Sequence, residues 1–291
     1  MGAARRGLAV GFFDGVHLGH QAILRRASAV LTFRNHPLSL LAPERCPRLL
    51  MSAESRIAAI RGCGVEKVTA LDFTPELAAM SAEDFISRHI ACGEGRETVY
   101  CGENWRFGRG GAGDPSLLKS CGFNVEVVPY ALHRGGRISS TRIRAAIEAG
   151  EIEDANLMLG RAWSVTGTVF KGKGLGSGMG YPTLNLRLDG VALRLMRGVY
   201  AVEVCGAVAA ANYGVAPTFG DGAWSSPVLE VHFLDGLPEG AADASSLEVM
   251  LLGYIRPERK FGSKEALALQ IASDCAEIRR RFIPLERQRQ V

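Results

Sequence analysis

Two histidines near the N-terminus have the spacing of an anion-binding pair. His17 and His20 lie one helical turn apart, so they face the same way at the start of a predicted helix, Leu18–Ala29. The free N–H groups at a helix N-terminus attract phosphate. Two imidazole donors there could hold a nucleoside triphosphate and stabilise the charge that builds up as its α-phosphate is attacked. Gly19 keeps a side chain out of the space between them.

The residues before this pair suit a phosphate-binding turn. The segment GFFDGVHLGHQ, residues 11–21, overlaps the end of a predicted strand, Leu8–Phe13, and contains an Asp-Gly turn. Ligands of α/β sheets bind outside the carboxyl ends of the strands. We therefore expect this loop to contact a nucleotide through Gly11, Phe13, Asp14, Gly15 and Gly19.

A glycine-rich stretch in the second half suits another phosphate. Its backbone N–H groups could approach phosphate oxygens without Cβ obstruction, although a flexible hairpin is the plain alternative. No Gly-Lys-Ser/Thr ending follows, so it is not a Walker A loop. The candidate positions are Gly172, Gly174, Gly176 and Gly180.

The strand after this stretch carries alternating polar residues. Thr183 and Asn185 alternate with leucines, so in a strand both polar side chains face one way. Because Mg²⁺ prefers oxygen ligands and keeps several waters, this face suits a magnesium ion that bridges ATP phosphates.

A lone acidic residue, Glu230, lies in the apolar run VLEVHFLD. It shares a strand face with His232, while its apolar neighbours point the other way. A carboxylate within hydrogen-bond reach of an attacking hydroxyl can orient it and take its proton. The alternative is an exposed strand glutamate.

Other polar residues stand at predicted element ends. Asn104, in CGENWRFG, follows a strand and suits either a ligand contact or an Asx-turn. His36, in LTFRNHP, follows another strand.

Hydroxyl and arginine residues begin a further predicted helix, Thr141–Ala149. Capping explains the hydroxyls, but arginine in a first helical turn opposes the dipole and favours a bound anion. The residues concerned are Ser139, Ser140, Thr141, Arg142 and Arg144.

Together these segments resemble the bacterial bifunctional riboflavin kinase/FAD synthetase family over nearly the whole chain. A histidine pair alone is shared by many adenylyltransferases and class I aminoacyl-tRNA synthetases, whereas the ordered set is specific. Its members, in order, are GFFDGVHLGHQ, LTFRNHP, CGENWRFG, RISSTRIR, LGRAWSVTGTV, GMGYPTLNL, RGVYAV, ANYGVAPTFG, LEVHFLD and IRPERKF with a C-terminal helix.

The resemblance implies a role for each group of residues. His17 and His20 would bind the ATP phosphates of an adenylylation site, and His36 would border the flavin or nucleotide pocket. Glu230 would act on the ribityl 5′-hydroxyl of riboflavin. Two further sets follow: the triphosphate contacts Ser140, Thr141 and Arg144, and the metal and nucleotide contacts Thr183 and Asn185.

The chain departs from the family pattern at several places. Asn35 replaces a proline, Trp105 a phenylalanine and Leu184 an alanine, and GLPEGAADASS replaces the Asp-Leu-Tyr-Gly turn after Asp235. The family also usually has roughly ten more residues between the first helix and the strand at Val30. A crossover needs a dozen or more residues, yet only about sixteen lie between Phe13 and Val30, and the motif loop already uses Asp14 to Gly19. Either the connector between Ala29 and Val30 is truncated, or a mobile segment is absent.

The predicted fold class is α/β with two domains. Alternating segments up to Gly160 predict a doubly wound parallel sheet in a nucleotidyltransferase domain, residues 1–160. Short β-rich runs then predict an antiparallel β-barrel kinase domain, residues 161–291, with a C-terminal helix, Ser263–Phe282. Predicted helices Thr141–Ala149 and Glu151–Leu159 bridge the two.

Composition excludes several classes of protein. The 34 Lys and Arg nearly balance the 30 Asp and Glu, and no basic, aromatic-studded face indicates nucleic-acid binding. Seven dispersed cysteines fit reduced thiols, not a disulfide frame or zinc site. No apolar run reaches the ~20 residues of a membrane span. We therefore expect a cytoplasmic protein, a monomer or weak homo-oligomer with small-molecule substrates.

The function predicted from these features is flavin cofactor biosynthesis. The barrel would phosphorylate riboflavin to FMN with ATP and Mg²⁺, and the first domain would transfer AMP to FMN, giving FAD and pyrophosphate. One alternative is an adenylyltransferase for another phosphorylated acceptor with a non-catalytic β-barrel. Another is a non-enzymatic nucleotide- or RNA-binding protein.

Overall fold

A computed structural model of the chain describes residues 7–91, 98–170, 183–188, 195–215 and 227–283. Contacts between residues divide the chain into two compact units, Met1–Arg142 and Ile143–Val291. In the described residues, no helix is long and apolar enough to cross a membrane.

The first unit is built on a parallel sheet. The five strands lie in the order β3-β2-β1-β4-β5, so β1 is the point where the chain switches direction across the sheet. Their bounds are β1 Leu8–Val10, β2 Ala29–Phe33, β3 Lys67–Leu71, β4 Val99–Gly102 and β5 Val125–Val128. A hairpin follows, with strands β6 Leu132–His133 and β7 Gly136–Arg137.

Helices cover both faces of this sheet. Two apolar clusters divide the strand residues alternately: Leu8 and Val10 belong to one, Ala9 and Val30 to the other. The first cluster includes residues of α4 Pro75–Ala79, α5 Ala82–Phe85 and α6 Pro115–Ser120, and the second includes residues of α1 Leu18–Leu24 and α3 Ala53–Gly62. This two-sided cover confirms the doubly wound sheet. A short α2, Leu38–Leu41, and a π-helical stretch, Ile86–Ile90, complete the unit.

The short connector after the first helix closes a complete crossover. Strands β1 and β2 pair in parallel, with Leu8 opposite Ala29 and Val10 opposite Leu31. Helix α1 ends at Leu24, not Ala29 as expected, because β2 already begins at Ala29 and the chain needs the intervening residues to return to the sheet. The residues present are therefore enough for this βαβ unit.

The second unit is a closed antiparallel barrel, as predicted. Its strands lie in the order β10-β11-β12-β9-β8-β13, and β13 pairs with β10 to close it. They are β8 Trp163–Phe170, β9 Thr183–Leu188, β10 Gly198–Val204, β11 Ala207–Val215, β12 Pro227–Phe233 and β13 Ser246–Arg256. Helix α7, Ser140–Glu148, leads into the unit, followed by α8, Ile152–Leu159, and α9, Lys264–Phe282, ends the described chain.

Two helices pack on the barrel. Residues Ile271, Cys275 and Ile278 of α9 share an apolar cluster with Ala201 and Ala210 of the barrel strands. Helix α8 is tied to the barrel by Asn156. Its amide donates to Leu251 O at 2.8 Å and accepts from Trp163 N at 2.8 Å.

Candidate active sites

The loop after β1 has a strained backbone. Phe13 and Val16 have positive φ angles of 60° and 42°, which non-glycine residues rarely adopt, and Gly15 has φ 81°. Both non-glycine side chains are buried, and this packing offsets the strain. The turn brings the chain directly to the N-terminus of α1, where the two histidines lie.

His17 and His20 stack at the start of α1. Their ring centroids lie 3.5 Å apart with an interplanar angle of 17°. His17 caps the helix, because its Nδ1 accepts a hydrogen bond from His20 N at 3.2 Å. That bond puts the proton of a neutral His17 on Nε2, leaving an N–H donor on the far side of the ring.

His20 carries a buried polar atom. Its Nδ1 has no hydrogen-bond partner among the residues that the structure describes. Burial lowers the pKa of His20 well below 6.5, and the neighbouring His17 lowers it further. The imidazole is therefore neutral around pH 7 and has a hydrogen-bonding site left for a ligand.

Gly19 and Asp14 shape the space around the histidines. A Cβ at Gly19 would lie 3.2 Å from His17 Cε1. The buried Asp14 carboxylate accepts from Leu50 N at 3.0 Å, so this residue anchors the loop. The Asp14 carbonyl accepts from the Ser140 hydroxyl at 2.9 Å. The structure thus joins the start of α7 to the loop, two segments that the sequence had indicated separately.

An arginine at the start of α7 holds the neighbouring hairpin. Arg142 Nη1 donates to His133 O and Gly136 O, each at 2.9 Å, in the β6–β7 hairpin. These bonds give Arg142 a structural role, and the anion predicted at this helix start stays a prediction. Thr141 is exposed and Arg144 is half-buried.

His36 and Asn104 lie beyond the carboxyl ends of their strands. The His36 ring meets Phe12 edge-on at 4.7 Å, and its Nδ1 accepts from Leu38 N at 3.1 Å. Asn104 is exposed in the turn after β4. Asn35, which replaces a proline, bonds Phe73 N and Phe73 O and so joins the ends of β2 and β3.

Sequence reasoning missed Arg56, on α3. This side chain is 0% exposed, and its guanidinium lies 3.9 Å from the centre of the Phe12 ring. Nη2 donates to Phe33 O at 2.6 Å and Arg34 O at 2.9 Å, whereas Nε and Nη1 have no partner. Burial lowers the Arg56 pKa, and Asp14 partly offsets this. An arginine in a helical pattern is typical of a solvated face, so no sequence signal marked it.

In the second unit, polar residues from adjacent strands lie side by side. Glu230 is directly opposite Asn185 on β9 and Asn212 on β11. His232 is directly opposite Thr183. Directly opposed residues share a face of the sheet, so the Thr183, Asn185 and Glu230 positions converge.

Glu230 is half-buried beside a second carboxylate. Burial raises the pKa of Glu230, and nearby Glu258 raises it further. Glu258 follows β13, and a Cβ on Gly214 would collide with its Oε1, so its carboxylate lies against the β11 backbone. No sequence pattern predicts this approach of Glu258 to β11, because it depends on closure of the barrel.

His232 lies on the same face, near α9. Its Nδ1 is buried without a partner, and burial lowers its pKa while Asp274 acts in the opposite sense. Asp274 itself accepts from Arg256 Nε at 2.9 Å and Nη2 at 2.7 Å. The turn that begins at Leu234 and Asp235 is bound to α9, because Arg279 donates to Leu234 O at 3.0 Å.

The glycine-rich stretch lies outside the described residues. Gly172, Gly174, Gly176 and Gly180 all fall in 171–182. Strand β8 ends at Phe170, opposite Asn185 of β9. Among the described residues, no group of three or more His, Cys, Asp or Glu could hold a metal.

Two family models match the chain. The FAD synthetase model matches residues 3–142, and the riboflavin kinase model matches residues 159–282. The first coincides with the parallel-sheet unit and the second with the barrel and α9.

Curated relatives match over nearly their whole length. A bifunctional riboflavin kinase/FMN adenylyltransferase of Pseudomonas fluorescens is 35% identical over 93% of this chain and 91% of its own. The enzyme of the same name from Bacillus subtilis (strain 168) is 32% identical over 98% and 95%. A solved structure titled a macrolide-efflux protein from Streptococcus pneumoniae has a TM-score of 0.80 at 28% identity, covering 97% of this chain and 95% of that one.

Proposed function

This chain belongs to the bifunctional riboflavin kinase/FMN adenylyltransferase family, and we propose which of its residues carry the two reactions. It phosphorylates riboflavin with ATP to give FMN, then adenylylates FMN to give FAD and pyrophosphate. The first reaction attacks the γ-phosphorus of ATP and the second the α-phosphorus. Each therefore needs its own phosphate site.

Adenylyl transfer takes place at His17 and His20. The observation that carries this assignment is the stacked pair at the N-terminus of α1, beyond the switch strand β1, with a buried His20 Nδ1 left unpartnered. A phosphate oxygen of FMN attacks the α-phosphorus, and the bond to the leaving pyrophosphate breaks. Imidazole N–H groups and the helix N-terminus stabilise the charge that develops on the phosphate oxygens.

The surrounding loop holds the nucleotide and keeps the histidines in place. The backbone turns tightly at Gly11, Phe13 and Gly15. Asp14 stabilises this turn by accepting a hydrogen bond from Leu50 N. Ser140 acts through its bond to Asp14 O. The remaining nucleotide and flavin contacts are assigned to Asn104, Thr141, Arg144 and His36.

Phosphorylation of riboflavin takes place at Glu230. The Glu230 carboxylate orients the 5′-hydroxyl and takes its proton as the oxygen attacks the γ-phosphorus, and ADP leaves. A raised pKa keeps this base matched to a hydroxyl that loses its proton late in the reaction. The cross-strand pair of Glu230 with Asn185 supports the assignment.

Thr183 and Asn185 would hold Mg²⁺. A hydroxyl and an amide beside the Glu230 carboxylate are oxygen donors of the kind that magnesium prefers. When bound, the ion neutralises charge on the transferred phosphoryl group. Gly172, Gly174, Gly176 and Gly180 are assigned to the ATP phosphates of this site.

The product pattern of the purified enzyme tests the function. Riboflavin, ATP and MgCl₂ are incubated with the chain, FMN and FAD are separated by chromatography, and pyrophosphate is measured. We expect FMN first, then FAD with one pyrophosphate each. FAD formed only from supplied FMN would indicate an adenylyltransferase with a non-catalytic barrel, and no turnover would indicate a binding protein.

Both reactions consume ATP, which argues for a cytoplasmic location. One chain carries both proposed sites, so neither site needs a partner subunit. We expect a monomer or a weak homo-oligomer that needs no nucleic acid or membrane, and light scattering of the purified protein checks the oligomeric state.

A further inference from the structure

Arg56 is a buried cation whose bonding is incomplete. The side chain is fully buried, yet two of its three guanidinium nitrogens have no partner among the described residues. Buried charged donors without partners destabilise a fold, and apolar residues of similar size are often as stable or more stable in their place. Stability alone therefore does not explain an arginine here.

The hydrogen bonds and ring contact of the Arg56 side chain go to segments that we assign to the adenylylation site. The guanidinium carbon lies 3.9 Å from the centre of the Phe12 ring, and Phe12 directly precedes the strained Phe13 of the histidine loop. Nη2 binds the carbonyls of Phe33 and Arg34, which lead into His36.

Phe12 connects these contacts to the loop. Its ring meets His36 edge-on at 4.7 Å, and its carbonyl accepts from Thr32 Oγ1 at 3.2 Å. If Phe12 moved, His36 would lose its ring contact and the turn that positions His17 would shift.

We infer that Arg56 is a positioning residue for adenylyl transfer, which sets the loop of His17 through the face of Phe12 and the end of β2. This inference rests on the proposed assignment of that reaction to the histidine pair. A guanidinium is needed at this position. It is planar, so it can contact the face of the Phe12 ring while one nitrogen donates to the Phe33 and Arg34 carbonyls, and a lysine ammonium group cannot do both.

The variants Arg56→Met and Arg56→Lys test the inference in the full-length enzyme. We expect Arg56→Met to fold with a melting temperature near that of the wild type. Its kcat for FAD formation should fall by ~10–100-fold, since small displacements of reacting groups cost this much. Arg56→Lys should lose nearly as much. Riboflavin phosphorylation should not change in either variant, and the exposed Arg61→Met on the same helix is the matched control.

A double-mutant cycle separates positioning from general stability. If Arg56 acts through Phe12, the variant Arg56→Met/Phe12→Leu should be no slower than the slower single variant. Losses that multiply would overturn the inference. Wild-type FAD formation by folded Arg56→Lys or Arg56→Met would overturn it too. The same holds if either variant regains the full wild-type rate of FAD formation at a lower assay temperature, because its loss would then reflect reduced stability. If Arg56→Met does not fold, Arg56→Lys decides. Wild-type FAD formation by His20→Ala in the same assay would instead refute the proposed site.

Discussion

At the scale of single residues, the histidine pair joins helix capping to the phosphate chemistry that we propose for it. His17 caps α1 through Nδ1, and the buried Nδ1 of His20 has no partner among the described residues. A buried polar atom without a partner is unfavourable, and a bound phosphate would supply one. The arrangement is thus prepared for an anion before the anion arrives.

The acid titration of His20 follows from this burial. We expect its midpoint to lie below 6.5, since burial and His17 both disfavour the charged form. An unfolded chain binds this proton more readily, so the stability contributed by neutral His20 is complete above pH 6.5 and is lost as the pH falls towards the folded midpoint. NMR of ¹³C-labelled histidine measures the midpoint, and His17→Asn should raise it. A midpoint above 6.5 would contradict the buried environment.

Gly19 offers a second test at this scale. Gly19→Ala places a methyl group 3.2 Å from His17 Cε1, and the stacked ring has little room to move. We expect FAD formation to fall about tenfold or more, because the reacting geometry shifts. Riboflavin phosphorylation should stay unchanged. The control is Gly62→Ala, where a Cβ meets nothing within 4 Å. Equal FAD rates in the two variants would mean that Gly19 is not crowded.

At the scale of elements, helix α8 is part of the barrel unit. Its residues Ile152, Ala155, Met158 and Leu159 are all fully buried, and Asn156 bonds the barrel backbone. A fragment that begins at residue 161 would lose the bonds of Asn156 to Leu251 O and Trp163 N.

Two fragments test this. We expect residues 143–291 to fold and to make FMN, whereas residues 161–291 should be less stable by several kcal/mol, since each lost buried bond costs about 1–3 kcal/mol and apolar surface is also exposed. Urea denaturation and a riboflavin kinase assay measure both. Equal stability of the two fragments would show that α8 is only a connector.

The sequence predicted elements best where local signals and packing agree. The predicted C-terminal helix, Ser263–Phe282, matches α9, because Ser263 caps its first turn and the helix ends at Phe282. The π-helical stretch Ile86–Ile90 directly follows α5, and side-chain periodicity does not encode it.

The sites were predictable where a motif carries the chemistry. The histidine pair and the Glu230 strand could be found in this way, but Arg56 and Glu258 could not. Their roles depend on segments far apart in sequence that only the sheet and the barrel bring together.

At the scale of the whole molecule, the chain has two compact units, and we assign one phosphate site to each. Paired imidazoles at a helix N-terminus suit attack at the α-phosphorus, and a strand carboxylate beside oxygen donors suits attack at the γ-phosphorus. The product of the kinase reaction is the acceptor of the second reaction. Separate units allow each activity to be removed alone.

The most direct test of this account is a crossed comparison of His20→Ala and Glu230→Gln in the full chain. For each, FMN formation from riboflavin and FAD formation from supplied FMN are measured, with melting temperatures as controls. We predict that His20→Ala lowers FAD formation by ~10²–10³-fold and leaves FMN formation unchanged. Glu230→Gln should lower kcat for FMN formation by ~10²-fold or more, with KM for riboflavin changing far less and FAD formation intact. Parallel loss of both activities in either folded variant would contradict two separate sites.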